Sequence, residues 1–120
     1  MTSEEMNSLL NEARKQICAK PEAEQIVVVK TRKGRICAFI NQIFSFGTRD
    51  EDCFIQRIRA EENEEIEAIV CMWGTGELDI PSMNLRNGLL SLIPTNESSL
   101  IILQAENGVC LKTLMECMPA

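Results

Sequence analysis

The chain has 120 residues, of which 45% are hydrophobic and 25% charged, and its formal net charge is −6. This length and composition are typical of one soluble globular domain over residues 1–120. An acidic chain suits the phosphate backbone of a nucleic acid poorly, so no nucleic-acid partner is expected. No apolar run approaches the ~20 residues of a membrane span, and the polar N-terminus lacks a signal-peptide pattern. The sequence therefore predicts no membrane partner and a cytoplasmic location.

Histidine is absent, and its absence excludes several classes of chemistry. Histidine is the commonest general base near neutral pH and the commonest ligand of transition metals in proteins. Mechanisms of the Ser-His, Cys-His and His-metal types are therefore excluded. The six cysteines include no Cys-x-x-Cys pair, and most of them lie in apolar periodic segments. We interpret them as small buried hydrophobic residues rather than as disulfides or metal ligands.

Hydrophobic periodicity divides the chain into alternating helices and strands. In chain order, the pattern predicts helix 2–18, strands 25–30 and 35–41, helix 50–62, strand 66–72, helix 81–93, strands 100–104 and 109–111, and a helical turn at 113–117. Thr2 and Glu5 have the spacing of a capping box, and Pro81 lies at or near the first helical position of its helix. A helix between strands implies a parallel crossover, so the order predicts a sheet with helices on its faces.

One basic run, residues 30–35, stands out from the acidic remainder of the chain. It contains Gly34 and lies between two predicted strands, as a hairpin turn would. We therefore interpret it as a solvated hairpin tip rather than as a nucleic-acid patch.

The most informative pattern lies between residues 49 and 86. It consists of Arg49-Asp50-Glu51, an amphipathic helix, the apolar strand 66–72, a Gly-containing loop and Pro81-Ser82-Met83-Asn84-Leu85-Arg86. This order resembles the core of the zinc-dependent cytidine deaminase superfamily. In that superfamily a His- or Cys-Ala-Glu tripeptide and a Pro-Cys-x-x-Cys-Arg motif begin two helices that flank one strand.

The resemblance to small cytidine deaminases and blasticidin-S deaminases covers nearly the whole chain, from about Ser3 to Met118. The hairpin ends at Asn41, where the family has an asparagine that contacts the nucleoside sugar, although the acid of the family's Asn-x-Glu is replaced by Ile43. Residues 111–119 resemble the family's Thr-Leu-x-Glu-Leu-Leu-Pro close. The resemblance implies a single cytidine deaminase-like domain of the α/β class, a three-layer α/β/α sandwich with a mixed five-stranded sheet.

Deamination in that family requires three side chains that hold zinc and a glutamate that moves the proton. The resemblance puts the three ligand positions at Arg49, Ser82 and Leu85. A guanidinium repels a cation, leucine has no donor atom, and a serine hydroxyl is a poor zinc ligand. We therefore expect no metal and no other cofactor. The proton-shuttle position keeps Glu51, which is either an acid retained in a ligand pocket or, as we prefer, a carboxylate of the first helical turn that the macrodipole favours. An ion pair of Arg49 with Glu51 in the place of the zinc would explain the loss of the ligand.

Three functional hypotheses follow from the resemblance. The first is a catalytically inactive deaminase-like protein, a pseudoenzyme, that binds a nucleoside-like or other small planar ligand in the ancestral pocket. Candidate pocket residues are Asn41, Phe44, Arg49, Glu51, Trp73 and Ser82. The second is a structural or regulatory partner in a homo-oligomer, because the family forms dimers or tetramers through its motif-bearing helices, here with Met83, Leu89 and Leu92 exposed. The third is an active nucleoside deaminase with altered metal ligands.

A replacement metal site is conceivable from Cys71, Glu77 and Asp79, which lie at the end of a predicted strand and in the following loop. Their spacing matches no recognised motif, and solvated loop acids are the commoner arrangement. Trp73 and Phe44 could stack on a planar ligand, although aromatic side chains more often serve core packing.

Overall fold

The structure is a computed structural model that describes residues 1–20, 24–41, 50–60 and 64–119, with only the backbone of Asn41 and Asp50. The elements are α1 (Ser3–Ala19), β1 (Gln25–Thr31), β2 (Ile36–Asn41), α2 (Asp50–Ala60), β3 (Ile66–Trp73), α3 (Met83–Leu92), a first 3₁₀ helix (Pro94–Ser98), β4 (Leu100–Ala105), β5 (Gly108–Thr113) and a second 3₁₀ helix (Met115–Cys117). The predicted helices and strands occur in the predicted order. Within the described residues, no helix is both long and apolar enough to cross a membrane.

The five strands form one mixed sheet in the order β2-β1-β3-β4-β5. Strands β3 and β4 are parallel, and the other neighbouring pairs are antiparallel. The parallel pair is the one joined by α3, because a helical crossover returns the chain in the same direction. The predicted α/β class and five-stranded mixed sheet are confirmed.

Alternating residues of the strands build two apolar layers, one on each face of the sheet. In β1, Val27 and Val29 pack towards α2 and α3, whereas Ile26 and Val28 pack towards α1. All four of these side chains are almost fully buried. This alternation forces the three helices into two outer layers, since each face of the central sheet requires its own apolar cover.

The first and third helices begin at side-chain caps. At α1, the Thr2 hydroxyl accepts from the Glu5 amide at 3.1 Å and the Thr2 amide donates to the Glu5 carboxylate at 3.3 Å, as the capping box predicts. At α3, Ser82 is the N-cap, because its hydroxyl accepts from the Leu85 amide at 3.1 Å. Pro81 therefore precedes the N-cap and lies two residues before Met83, the first helical residue, close to its predicted place.

The basic turn between β1 and β2 is paired with carboxylates of the same chain. Lys30 contacts Glu5 of α1 at 3.0 Å, and Arg35 contacts Glu64 at 2.7 Å. Cations that are already paired within the protein are less available for a phosphate backbone. The pairing supports the interpretation of residues 30–35 as a hairpin tip.

The cysteines are less buried than their apolar sequence surroundings suggest. All six are free thiols, and of these only Cys71 is buried, whereas Cys18 and Cys53 are exposed. The interpretation as buried hydrophobic residues is confirmed for Cys71 and is wrong for the two exposed thiols. Both of those lie on helices, where one face is necessarily turned to solvent.

Candidate functional site

The N-termini of α2 and α3 meet around one buried carboxylate. Glu51 lies in the first turn of α2, and its side chain is 0% exposed. The Ser82 hydroxyl donates to Oε1 of Glu51 at 2.6 Å, and the Asn84 side-chain amide donates to Oε2 at 2.8 Å. Both oxygens of the carboxylate are thus hydrogen-bonded to the beginning of α3. We call these three residues the Glu51 cluster.

Ser82 has two roles in this cluster. Its oxygen accepts from the Leu85 amide and so caps α3, while its proton goes to Glu51. A hydroxyl has one proton to donate and two lone pairs, so both bonds are possible at once. The short distance to Glu51 is in the range of charge-assisted O–H···O bonds, which are stronger than neutral ones.

Asn84 is a site residue that sequence reasoning missed. Its side-chain amide donates to Glu51 and also to Oδ1 of Asp52, at 2.8 Å in each case. An amide nitrogen carries two protons, so it can bridge two acids. No local pattern marks this role, because the two acids precede Asn84 by 33 and 32 residues.

The electrostatic support of Glu51 comes from hydrogen bonds and helix ends. Among the described residues, no lysine or arginine forms an ion pair with it. A buried carboxylate is costly unless its oxygens are satisfied. Here Ser82 and Asn84, at the N-terminus of α3, satisfy both oxygens of the acid.

Leu85 and Arg86, the last two residues of the Pro81–Arg86 segment, do not contact Glu51 but pack against or bind other parts of the chain. Leu85 is fully buried in the apolar layer between the sheet and the α2–α3 pair. The Arg86 side chain donates through Nε to the Pro81 carbonyl at 2.9 Å and through Nη1 to the Cys117 carbonyl. Arg86 thereby ties the second 3₁₀ helix to the start of α3, a role that its place in the sequence did not reveal.

Cys71 lies on β3 and is not exposed at all. Burial raises the pKa of its thiol, and the negative charges of Asp79 and Glu51 raise it further. The thiol is therefore protonated at neutral pH, whereas a metal ligand must be a thiolate. Within the described residues, no three His, Cys, Asp or Glu side chains are grouped so as to hold a metal ion.

Of the remaining predicted pocket residues, Trp73 and the backbone of Asn41 lie in the part of the chain that the structure describes. Trp73 ends β3, and its indole N–H donates to Oδ2 of Asp79 at 3.0 Å, so its polar edge is engaged within the chain. Asn41 ends β2. Phe44 and Arg49 lie outside the described residues, and with them the predicted Trp73–Phe44 stack and the Arg49–Glu51 ion pair.

The predicted exposed face of α3 requires a correction. Met83 is 40% exposed, but Leu89 is fully buried and Leu92 is partly buried, both packed against the sheet. With Leu85, these leucines recur at intervals of four and three residues, the spacing of a core-facing helix stripe. The described large apolar residues that are exposed are Ile36, Ile80, Met83, Val109, Leu111 and Met115.

A groove of about 700 Å³ runs between the outer faces of α2 and α3. Its lining comprises Asp52, Ile55, Gln56, Arg59, Asn84, Asn87, Gly88 and Ser91. The floor is formed where the helices come closest, because a methyl group at Gly88 would lie 2.7 Å from Cδ1 of Ile55. The groove is polar, with an acid near the start of α2 and Arg59 near its end.

Comparison with known proteins identifies the fold. No protein-family model and no curated protein sequence matches the chain. Among solved structures, the cytidine deaminase from Mycobacterium leprae is similar, with 17% identity, a TM-score of 0.64 and coverage of 96% of this chain and 98% of that one. The cytidine deaminase from Mycobacterium tuberculosis has 15% identity and a TM-score of 0.62, and covers 95% of this chain and 94% of its own. A mutant form of that enzyme has 18% identity, a TM-score of 0.64 and the same coverage. These likenesses show that the chain has the α/β fold of cytidine deaminases.

Proposed function

We propose that this protein is a catalytically inactive deaminase-fold protein that acts as a structural or regulatory subunit of a homo-oligomer. The main support for the loss of catalysis is that both carboxylate oxygens of Glu51 accept hydrogen bonds from Ser82 and Asn84 of its own chain. A general acid–base must instead be within hydrogen-bond reach of the substrate or the attacking water. Glu51 is fully buried, so its carboxylate serves the α2–α3 junction.

The residues at two of the implied metal-ligand positions support the same conclusion. The Ser82 hydroxyl is already shared between the Leu85 amide and Glu51. The Leu85 side chain is a hydrocarbon in the apolar layer. Zinc in a catalytic site needs three protein ligands with nitrogen, sulfur or carboxylate donors, and neither side chain is one of these.

The groove between α2 and α3 supports the proposal that the protein forms a homo-oligomer. Its lining residues repeat at i, i+3, i+4 and i+7 on each helix, so each helix contributes one continuous face. Asp52 and Arg59 lie at opposite ends of the α2 face. A two-fold axis across the groove would put Asp52 of each copy beside Arg59 of the other, which makes the face self-complementary in charge.

The oligomer is tested by charge reversal within this groove. We expect Asp52→Arg and Arg59→Asp each to weaken self-association about tenfold, and the double reversal to restore it, measured by light scattering across a dilution series. Arg57→Asp is the matched control, because Arg57 is exposed on the same helix but does not line the groove. A monomeric wild-type protein, or an equal effect of Arg57→Asp, would refute the proposed interface.

The loss of deaminase chemistry is tested by zinc content and cytidine turnover of the purified protein. We expect no stoichiometric zinc and no turnover. Turnover that depends on zinc and disappears in Glu51→Gln would overturn the proposal and support an active deaminase with altered ligands.

The ligand hypothesis makes a distinct prediction. Anything that binds only the folded protein raises its apparent stability, so a nucleoside bound in the ancestral pocket would raise the melting temperature. We expect no shift with a nucleoside panel, because Glu51, Ser82 and the polar edge of Trp73 are all engaged within the chain. A saturable shift that Ser82→Ala abolishes would favour a ligand-binding pseudoenzyme instead.

A further inference from the structure

A second cavity lies at the β2 edge of the sheet, between β2 and α2. Its volume is about 250 Å³, and its walls are formed by Ala38, Phe39, Cys53, Phe54 and Arg57. None of these residues belongs to α3 or to the Glu51 cluster. The cavity is therefore separate from the site described above and from the groove between the helices.

One wall of the cavity is aromatic. The rings of Phe39 and Phe54 are stacked, with centroids 5.0 Å apart and an angle of 25° between their planes. Phe54 is 4% exposed and belongs to the apolar layer, so the wall is anchored in the core. A fixed pair of ring faces and edges is a suitable surface for another planar ring.

The cation at this cavity is pre-oriented. The Arg57 guanidinium lies 5.7 Å from the centroid of the Phe54 ring, one helical turn along α2. In the part of the chain that the structure describes, no carboxylate pairs with Arg57, whereas Arg32 and Arg35 are paired with Glu65 and Glu64. An arginine held by a ring has fewer conformations to lose when it binds an anion.

We propose that this cavity binds a small planar carboxylate, whose ring packs against Phe39 and Phe54 and whose carboxylate is bound by Arg57. A guanidinium matches a carboxylate in a two-point arrangement, which accounts for the charge of the ligand. The volume is slightly below the ~300 Å³ at the lower end of small-molecule pockets, so the ligand contains about one ring. The inference does not depend on the proposed function.

Binding in the cavity can be measured as protection of Cys53, the exposed thiol on the cavity wall, from alkylation. Sodium benzoate is the probe, and alkylation of Cys53 by iodoacetamide is followed by peptide mass spectrometry of the full chain. Cys18, an exposed thiol on α1, is the internal control. At a benzoate concentration ten times its dissociation constant, mass action gives about tenfold slower alkylation at Cys53 and no change at Cys18.

The chemistry of the ligand is tested with two further probes at matched ionic strength. Benzyl alcohol has the ring without the charge, and acetate has the charge without the ring. We expect neither to protect Cys53 at concentrations where benzoate does. Equal protection by benzyl alcohol and benzoate, or no protection by benzoate up to its solubility limit, would overturn the proposal.

The role of Arg57 is tested with Arg57→Gln, which should abolish the protection, and Arg14→Gln, which should retain it. Arg14 is an exposed arginine on α1 and lines neither this cavity nor the groove between α2 and α3. Each rate is compared with and without benzoate in the same variant, because the substitution can change the basal reactivity of Cys53. Benzoate-induced amide shifts of Phe39 and Phe54 in NMR spectra provide a second measurement, and shifts that persist in Arg57→Gln would also overturn the proposal.

Discussion

Helix α3 is held at both ends by hydrogen bonds to a buried polar side chain, Glu51 at its N-terminal end and Asn96 at its C-terminal end, and these two side chains differ in charge. At the N-terminal end, Ser82 and Asn84 donate to the Glu51 carboxylate. At the C-terminal end, the Asn96 side chain accepts from the Ile66 amide at 3.0 Å and donates to the Leu89 carbonyl at 2.9 Å. The bonds of Glu51 to Ser82 and Asn84 and the bond of Asn96 to Ile66 join residues 30 to 33 positions apart, whereas Asn96 and Leu89 are seven residues apart.

The comparison shows that the hydrogen bonds of Asn96 are needed for folding, whereas the negative charge of the Glu51 side chain is not. Asn96 pairs a free amide at the start of β3 with a carbonyl in the last turn of α3, two groups that any fold must satisfy. The Glu51 cluster includes a buried carboxylate, and a neutral side chain could join the same helices without the cost of burying a charge. Hydrogen bonding alone therefore does not mark a functional residue, whereas a buried carboxylate that no described lysine or arginine pairs with is a feature that folding does not require.

The largest effect is expected at the neutral end. Asn96→Leu leaves the Ile66 amide buried without a partner and the Leu89 carbonyl with only the long bond from the Ile93 amide at 3.3 Å, so the free energy of unfolding should fall by about 3 kcal/mol. Urea denaturation measures this loss. Asn11→Ala, at an exposed position on α1, is the control and should change stability by less than about 0.5 kcal/mol. A loss below 1 kcal/mol for Asn96→Leu would show that this end is not the stronger attachment.

A smaller loss is expected at the charged end. Glu51→Gln keeps the shape of the side chain, but one of its two hydrogen bonds becomes a neutral one and the other is disrupted, because the new NH2 group is a donor that faces a donor, so stability should fall by about 2 kcal/mol. Glu4→Gln, an exposed first-turn acid of α1, should cost at most about 0.5 kcal/mol. If Glu51→Gln instead stabilised the protein, the carboxylate would be kept at the expense of stability, as at functional sites.

The close contact between α2 and α3 is tested at Gly88, midway along α3. Gly88→Ala puts a methyl group 2.7 Å from Cδ1 of Ile55, and the resulting strain outweighs the gain in helix propensity by about 1.5 kcal/mol. Thermal or urea unfolding of the variant measures the net loss. In an Ile55→Val background, which lacks Cδ1, Gly88→Ala should become neutral or stabilising. A similar loss in both backgrounds would place the strain elsewhere than at this contact.

The smallest effect is the pH dependence of stability that the raised pKa of Cys71 causes. Burial, Asp79 and Glu51 raise its pKa above the ordinary value of 9.0, so above pH 9 the unfolded chain loses this thiol proton while the folded protein keeps it. The stabilisation is present below pH 9 and is lost as the pH rises, by about 1 kcal/mol at pH 9.5. Cys71→Val should show a shallower fall of unfolding free energy between pH 8 and pH 9.5. Equal slopes for the two proteins would show that Cys71 does not titrate differently on folding.

Much of the fold was predictable because its determinants are local. The apolar stripe of α1, its Thr2–Glu5 capping box and the β-branched runs of the strands lie within short windows, and each is visible without knowledge of the rest of the chain. A helix between strands predicted a parallel pair somewhere in the sheet, and the structure shows that this pair is β3 with β4. The face of α3 was predicted less well, because Met83 and Leu89 are both apolar and only packing against the sheet distinguishes them.

The site was predictable only in part. The resemblance identified Glu51 and Ser82, which the structure brings within 2.6 Å of each other. It did not identify Asn84 as the second donor or Arg86 as the link to Cys117, because neither contact leaves a local signature.

The sequence by itself determined the element order, the Thr2–Glu5 capping box, the absence of histidine and the identity of the residues at the ligand positions that the resemblance implies. Only the tertiary structure decided what those residues contact. Glu51 meets donors 31 and 33 residues away because the sheet aligns the ends of two crossovers. Such contacts depend on how whole elements pack, and packing is set by the sum of many weak apolar interactions rather than by any single motif.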